Sequence, residues 1–185
     1  MRKRAELALV VIALLAMLAI GFGIFAGSGL YDIGADAHHS ALTYKFLETV
    51  RDRSIRERSK DLRLPNLDDP QLVLKGAGQY AAMCVGCHLA PGKESSEVRE
   101  GMYPQPPNLS KLRVDSRDAF WVIKHGIKMS GMPAWGRSHD DATIWSIVAF
   151  LGKLPALTPQ QYEAIVAKAP PDEDMDMDSK DRPRE

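Results

Sequence analysis

The sequence predicts an all-α protein: one long apolar helix ahead of a small helical domain. Three observations carry that expectation. Residues 7–27 are an uncharged run of 21 residues, mostly Leu, Ala, Ile and Val. Several later segments place apolar residues at helical spacing. No run reads as a β-strand. Apolar residues make up 45% of the chain, enough for a core, which excludes wholesale disorder. Basic and acidic residues are equal at 24 each, so the charge gives no footprint for nucleic acid.

The elements follow in order. A helix over the uncharged run would span ~31 Å, close to the hydrocarbon thickness of a bilayer. Arg2, Lys3 and Arg4 precede it, so the N-terminus is expected to stay cytoplasmic and the rest of the chain to lie outside. The apolar stretch is longer than that of a signal peptide and no clean A-x-A site follows, which favours an uncleaved anchor over residues 1–31. Residues 32–70 read as a charged arm and linker. Leu42, Phe46, Leu47 and Val50 fall at helical spacing there, and Pro65 and Pro70 bracket the link. Residues 71–84 read as a helix carrying Leu72, Val73, Gly76, Tyr80 and Met83. Residues 92–114, with Pro104, Pro106 and Pro107, read as a loop. Ser116 is expected to cap a helix from Arg117 to about Lys128, and Asp140 one from Asp141 to Lys153. Thr158, Pro159 and Gln161 fit the capped start of a last short helix. The domain is expected over 71–169. The tail, 170–185, is Asp-rich and reads as disordered.

The chemistry concentrates in residues 84–88, where Cys84, Cys87 and His88 form C-x-x-C-H. Two thiols at this spacing can add across the two vinyl groups of one haem, and the adjacent imidazole then reaches the iron. A dithiol redox pair would sit near a βαβ pattern, which is not found. A zinc site would need a fourth ligand that this run does not supply. The other face of the iron calls for a further ligand. Met132 lies between Gly131 and Pro133, which break a helix, so it sits in a loop able to fold over a haem. A thioether suits low-spin iron and raises its potential. Met129, His125 and His139 are the rivals, with Met129 expected to pack at the end of the preceding helix. His38 and His39 lack partners for a ligand role. Trp121 and Trp135 could edge the haem or be plain core. Lys124, Lys128 and Arg137 flank the ligand loop and could steer a partner or keep that surface soluble.

These residues resemble the class I c-type cytochromes, specifically the membrane-anchored periplasmic kind with one haem. The likeness covers about residues 71–155. It rests on Gly76, Tyr80 and the C-x-x-C-H run, on Pro107-Asn108-Leu109, on residues 131–136 (Gly-Met-Pro-Ala-Trp-Gly), and on a final helix with Trp145 and Phe150. The resemblance implies first and last helices crossing, with Gly76 and Tyr80 against Trp145 and Phe150. It implies covalent haem c on Cys84 and Cys87, axial iron ligation by His88 and Met132, and a proline carbonyl accepting the His88 N–H. Pro107 is the expected carrier of that carbonyl and Pro91 its rival.

The expected function is one-electron transfer by a single haem, with no catalytic residue and no small-molecule substrate. The expected place is the periplasmic side of a bacterial cytoplasmic membrane, held by the N-terminal helix. The expected partners are redox proteins: a quinol-oxidising complex, a terminal oxidase or a dehydrogenase, with this chain either free or a bound subunit. The alternative is a haem-binding sensor or an open-site, peroxidase-like enzyme in which Met132 is displaced.

Overall fold

The computed structural model describes residues 2–170; the expected acidic tail lies outside them apart from Pro170. Two compact units divide at His38. The first holds helix α1, Arg2–Gly27, none of whose residues is buried. It is long and apolar enough to cross a membrane. It closes where the Ser28 hydroxyl donates to the Phe25 carbonyl at 2.7 Å, ahead of Gly29 with φ of 69°.

The second unit contains α2 (Ala41–Ser59), α3 (Pro70–Met83), α4 (Val85–His88), α5 (Glu97–Glu100), α6 (Ser116–His125), α7 (Asp141–Lys153) and α8 (Pro159–Val166). Short 3₁₀ turns occupy Trp135–Arg137 and Leu154–Ala156. The described residues contain no strand, as the apolar pattern predicts. The core sits where α3 crosses α7. Val73, Ala77 and Tyr80 from α3 meet Ile144, Ile147, Val148 and Phe150 from α7, and α6 adds Phe120 and Ile123. Gly76 marks the crossing, because a Cβ there would lie 1.9 Å from the Ser146 carbonyl oxygen. The rings of Tyr80 and Phe150 fill the contact, with centroids 5.6 Å apart. Trp145 packs against the same core and stacks on Phe120 of α6 at 4.0 Å, which joins α7 to α6.

Caps explain the boundaries. Asp140 and Thr158 cap α7 and α8 as expected, Thr158 through a reciprocal box with Gln161. α6 differs from expectation at both ends. Asp115, not Ser116, is its cap, accepting from the backbone N–H groups of Arg117 and Asp118 at 2.9 and 3.1 Å. Its last residue is His125, because Gly126 turns left-handed at φ of 66°. The short α5 interrupts the segment read as loop, opened by the Ser96 hydroxyl on the Arg99 N–H. The arm helix α2 is capped by Ser40 and lies on α6. The Ser59 hydroxyl donates to Asp118, and Arg117 Nε donates to the Leu62 carbonyl at 3.0 Å.

Candidate functional site

Cys84 closes α3 and opens the single turn α4. Its carbonyl accepts from the N–H of Cys87 at 3.2 Å and of His88 at 2.8 Å. One helical turn thus presents both thiols and the imidazole. Cys84 is buried in the core, and Cys87 and His88 are half-buried. Burial, reinforced by Cys87, pushes the Cys84 thiol up to about 12.

The chain leaves the turn at Leu89, whose φ is 63° and whose side chain is fully buried. A left-handed conformation is unusual for so bulky a residue, and its neighbours hold it there. The Tyr80 hydroxyl donates to the carbonyls of Leu89 and His88 at 2.6 and 3.2 Å. The Leu109 N–H donates to the same His88 carbonyl at 3.1 Å. Beside it, His88 Nδ1 lies 2.9 Å from the Pro107 carbonyl oxygen; Pro107, not Pro91, supplies this contact. A carbonyl only accepts, so Nδ1 carries the proton and Nε2 keeps its lone pair. The Asn108 side chain stiffens the next turn, accepting from the Ser110 N–H and hydroxyl at 3.0 and 2.6 Å. Burial pushes the His88 imidazole below its ordinary value; the bond to Pro107 opposes this and the charge of Arg99 adds to it.

The loop after α6 brings in Met132. At Gly126 a Cβ would lie 2.7 to 2.8 Å from backbone atoms of Met132, Pro133 and Ala134, so this glycine is required by space as well as by φ. The Ile127 N–H donates to the Met132 carbonyl at 3.1 Å, closing the loop on itself. Met132 is half-buried and packs against the core that contains Cys84. Met129 departs from expectation: it is fully exposed with φ of 55°, because α6 has already ended. His125 is exposed at the helix end. The Nδ1 of His139 lies 2.9 Å from the Ser138 hydroxyl, and its Nε2 is buried without a hydrogen-bond partner. Trp121 and Trp135 are half-buried, beside His125 and His139. Of the flanking cations, Lys124 is paired with Asp141 at 2.6 Å, while Lys128 and Arg137 are exposed. His39 packs edge-on against Tyr103 at 5.5 Å.

Two thiols and an imidazole of fixed tautomer on one turn, with a thioether packed on the same core, form a donor set that fits a covalently bound haem. Residues 71–151 match the family model described as cytochrome c oxidase, cbb3-type, subunit III. Those residues are a class I c-type cytochrome domain. The cytochrome domain binds haem, carries iron and serves electron transport. No curated protein and no solved structure matched the chain.

Some positioning residues of the cytochrome domain escaped the sequence. Gly126 was legible as a glycine after a helical run but was not read as the stop that frees the Met132 loop. Met102 carried no signal. Its terminal methyl lies against Gly131, where a Cβ would stand 1.8 Å away, so it braces the loop from the far side. Tyr80 was expected to contribute its ring; its hydroxyl also pins the turn behind His88.

Proposed function

We propose that this chain is a membrane-anchored, single-haem electron carrier whose cytochrome domain faces the periplasm of a bacterium. Cys84 and Cys87 would hold the haem through thioethers, and His88 and Met132 would ligate its iron. When bound, the haem supplies an iron that takes up and releases one electron. The chain's own residues do the rest. Pro107 fixes the His88 tautomer so that Nε2 is the ligating atom. Tyr80 and Leu109 hold the His88 carbonyl, so the imidazole has little freedom to tilt. Gly126 and the contact between Ile127 and Met132 hold the thioether loop closed. Six-coordination leaves no open position, which suits a carrier better than an enzyme or gas sensor. Redox proteins are its partners, a quinol-oxidising complex, terminal oxidase or dehydrogenase among them.

The observation that carries this reading is the fixed imidazole: His88 Nδ1 at 2.9 Å from the Pro107 carbonyl, one residue from a cysteine pair on a single turn. The test is an absorption spectrum of the reduced protein with and without carbon monoxide, beside haem staining after denaturing electrophoresis. A stained band and an unchanged spectrum are expected. A stained band with a carbon monoxide shift would support the open-site alternative. A band that still stains after Cys84→Ala with Cys87→Ala would end the covalent assignment.

A further inference from the structure

Helix α2 is amphipathic in the reverse sense for a helix that serves only its own domain. Its domain-facing side is largely polar: Tyr44, Glu48, Arg51, Asp52 and Ile55 are half-buried and Ser59 is buried. That side is fastened by Ser59 to Asp118, by Arg117 to the Leu62 carbonyl, and by Tyr44 beside Tyr103 with centroids 6.1 Å apart. The apolar side is left in solvent. Leu42, Phe46, Leu47 and Val50 are 82%, 65%, 47% and 51% exposed. Leu42, Phe46 and Val50 are spaced i, i+4, i+8, so they form one stripe down the helix, with Leu47 beside it.

The charges around the stripe are one-sided. Glu48 pairs with Lys45 and Arg51, Asp52 with Arg51, and Glu57 with Lys60. Arg53, Arg56 and Arg58 remain as surplus positive charge and are exposed. An apolar stripe bordered by arginines is the composition of a helix lying in a membrane interface, where the stripe enters the acyl boundary and the cations meet anionic headgroups. The sequence keeps such a surface within reach. Only residues 28–40 separate α1 from α2, at most ~45 Å of extended chain. That link itself exposes Leu30, Tyr31 and Ile33.

We propose that α2 lies on the anionic phospholipid surface of the membrane that α1 spans. Leu42, Phe46, Leu47 and Val50 sit in the boundary below the headgroups, and Arg53, Arg56 and Arg58 lie against lipid phosphates. This rests on the anchored reading given above. Because the opposite side of α2 is fastened to α6, the contact holds the cytochrome domain at the surface in one orientation instead of letting it swing on a tether.

The test uses the full-length protein in vesicles of phosphatidylcholine and phosphatidylglycerol. A nitroxide is placed at F46C or at the exposed K111C, with wild-type protein taken through the same labelling as a blank. The label at 46 should be reached by oxygen and shielded from a water-soluble nickel chelate, while the label at 111 stays open to the chelate. Vesicles of phosphatidylcholine alone should lose part of the shielding at 46; equal shielding there would overturn the anionic part of the proposal. Protein that fails to float with the vesicles would overturn the anchor and this proposal together. Protein that floats, with both labels equally open to the chelate, would overturn the docking and leave the anchor standing. Shielding at 46 in native membranes but not in vesicles would assign the stripe to a protein partner and likewise overturn the proposal.

Discussion

Gly76 has no side chain because the Ser146 carbonyl of α7 occupies the space a Cβ would need, 1.9 Å away. The obstacle is backbone, so it cannot swing aside. Gly76→Ala should separate the crossing helices and cost about 1–3 kcal/mol or more, the range for overpacking a core. Thermal unfolding of the haem-loaded protein reads this directly. Gly131→Ala is the useful contrast, since its Cβ would meet only the flexible end of Met102, and a smaller loss is expected. The same scale separates the methionines. Met132→His should keep the iron six-coordinate while lowering its potential by on the order of a few hundred millivolts, given the ~0.8 V over which axial ligands tune haem. Potentiometric titration measures it. Met129→Leu should leave the potential unchanged, because Met129 stands in solvent. A shift on Met129→Leu with none on Met132→His would move the ligand by three residues. Gly76 is legible because its spacing to Tyr80 and the C-x-x-C-H run places it at the helix crossing. Met129 departs from its expected packing because its placement depends on where α6 stops.

At the scale of elements, the caps decide what the sequence could reveal. Asp140 stands ahead of a clean apolar run and was read as a cap. Asp115 was passed over because Ser116 next to it is an equally good capping residue. α5 is four residues long and has no periodicity to read. The outward apolar side of α2 was visible as spacing, but which side faces the domain depends on Ser59 and Arg117, contacts no pattern encodes. Asp140 gives a pH prediction. The Thr143 N–H at 2.7 Å, then the Thr143 hydroxyl, hold its carboxyl below the usual carboxylate range. A carboxyl depressed by folding stabilises the fold above its unfolded value and loses that contribution as pH falls through the folded one. Asp140→Ala should therefore cost about 1 kcal/mol at neutral pH, a typical capping loss. The gap between wild type and variant should narrow below about pH 4, where an unperturbed Asp protonates. Denaturant titrations at several pH values give the comparison. A gap that stays constant down to pH 2 would show that Asp140 stabilises α7 without its charge.

At the scale of the molecule, every buried residue of the core belongs to the unit that starts at His39, and α1 has no buried residue at all. The cytochrome domain therefore has a core built from its own residues. A chain starting at His39 behind a cleavable export signal should fold, stain for haem, and unfold within ~2 °C of the full-length protein, since a shift of ~2–4 °C would signal ~1 kcal/mol of lost contacts in a chain of this size. It should also leave the membrane fraction on a salt wash. The stripe on α2 is short and its cationic component is screened at high salt, where the Debye length falls to ~3 Å at 1 M. One weak interfacial helix gives reversible attachment, whereas firm attachment needs a second signal, which in the proposed reading is α1. Fractionation before and after the wash, with the haem stain as readout, separates the outcomes. Truncated protein that resists the salt wash would mean that residues 39–64 bind the membrane without α1. Truncated protein without haem would mean that residues 1–38 act in loading the domain, because they have no part in its core.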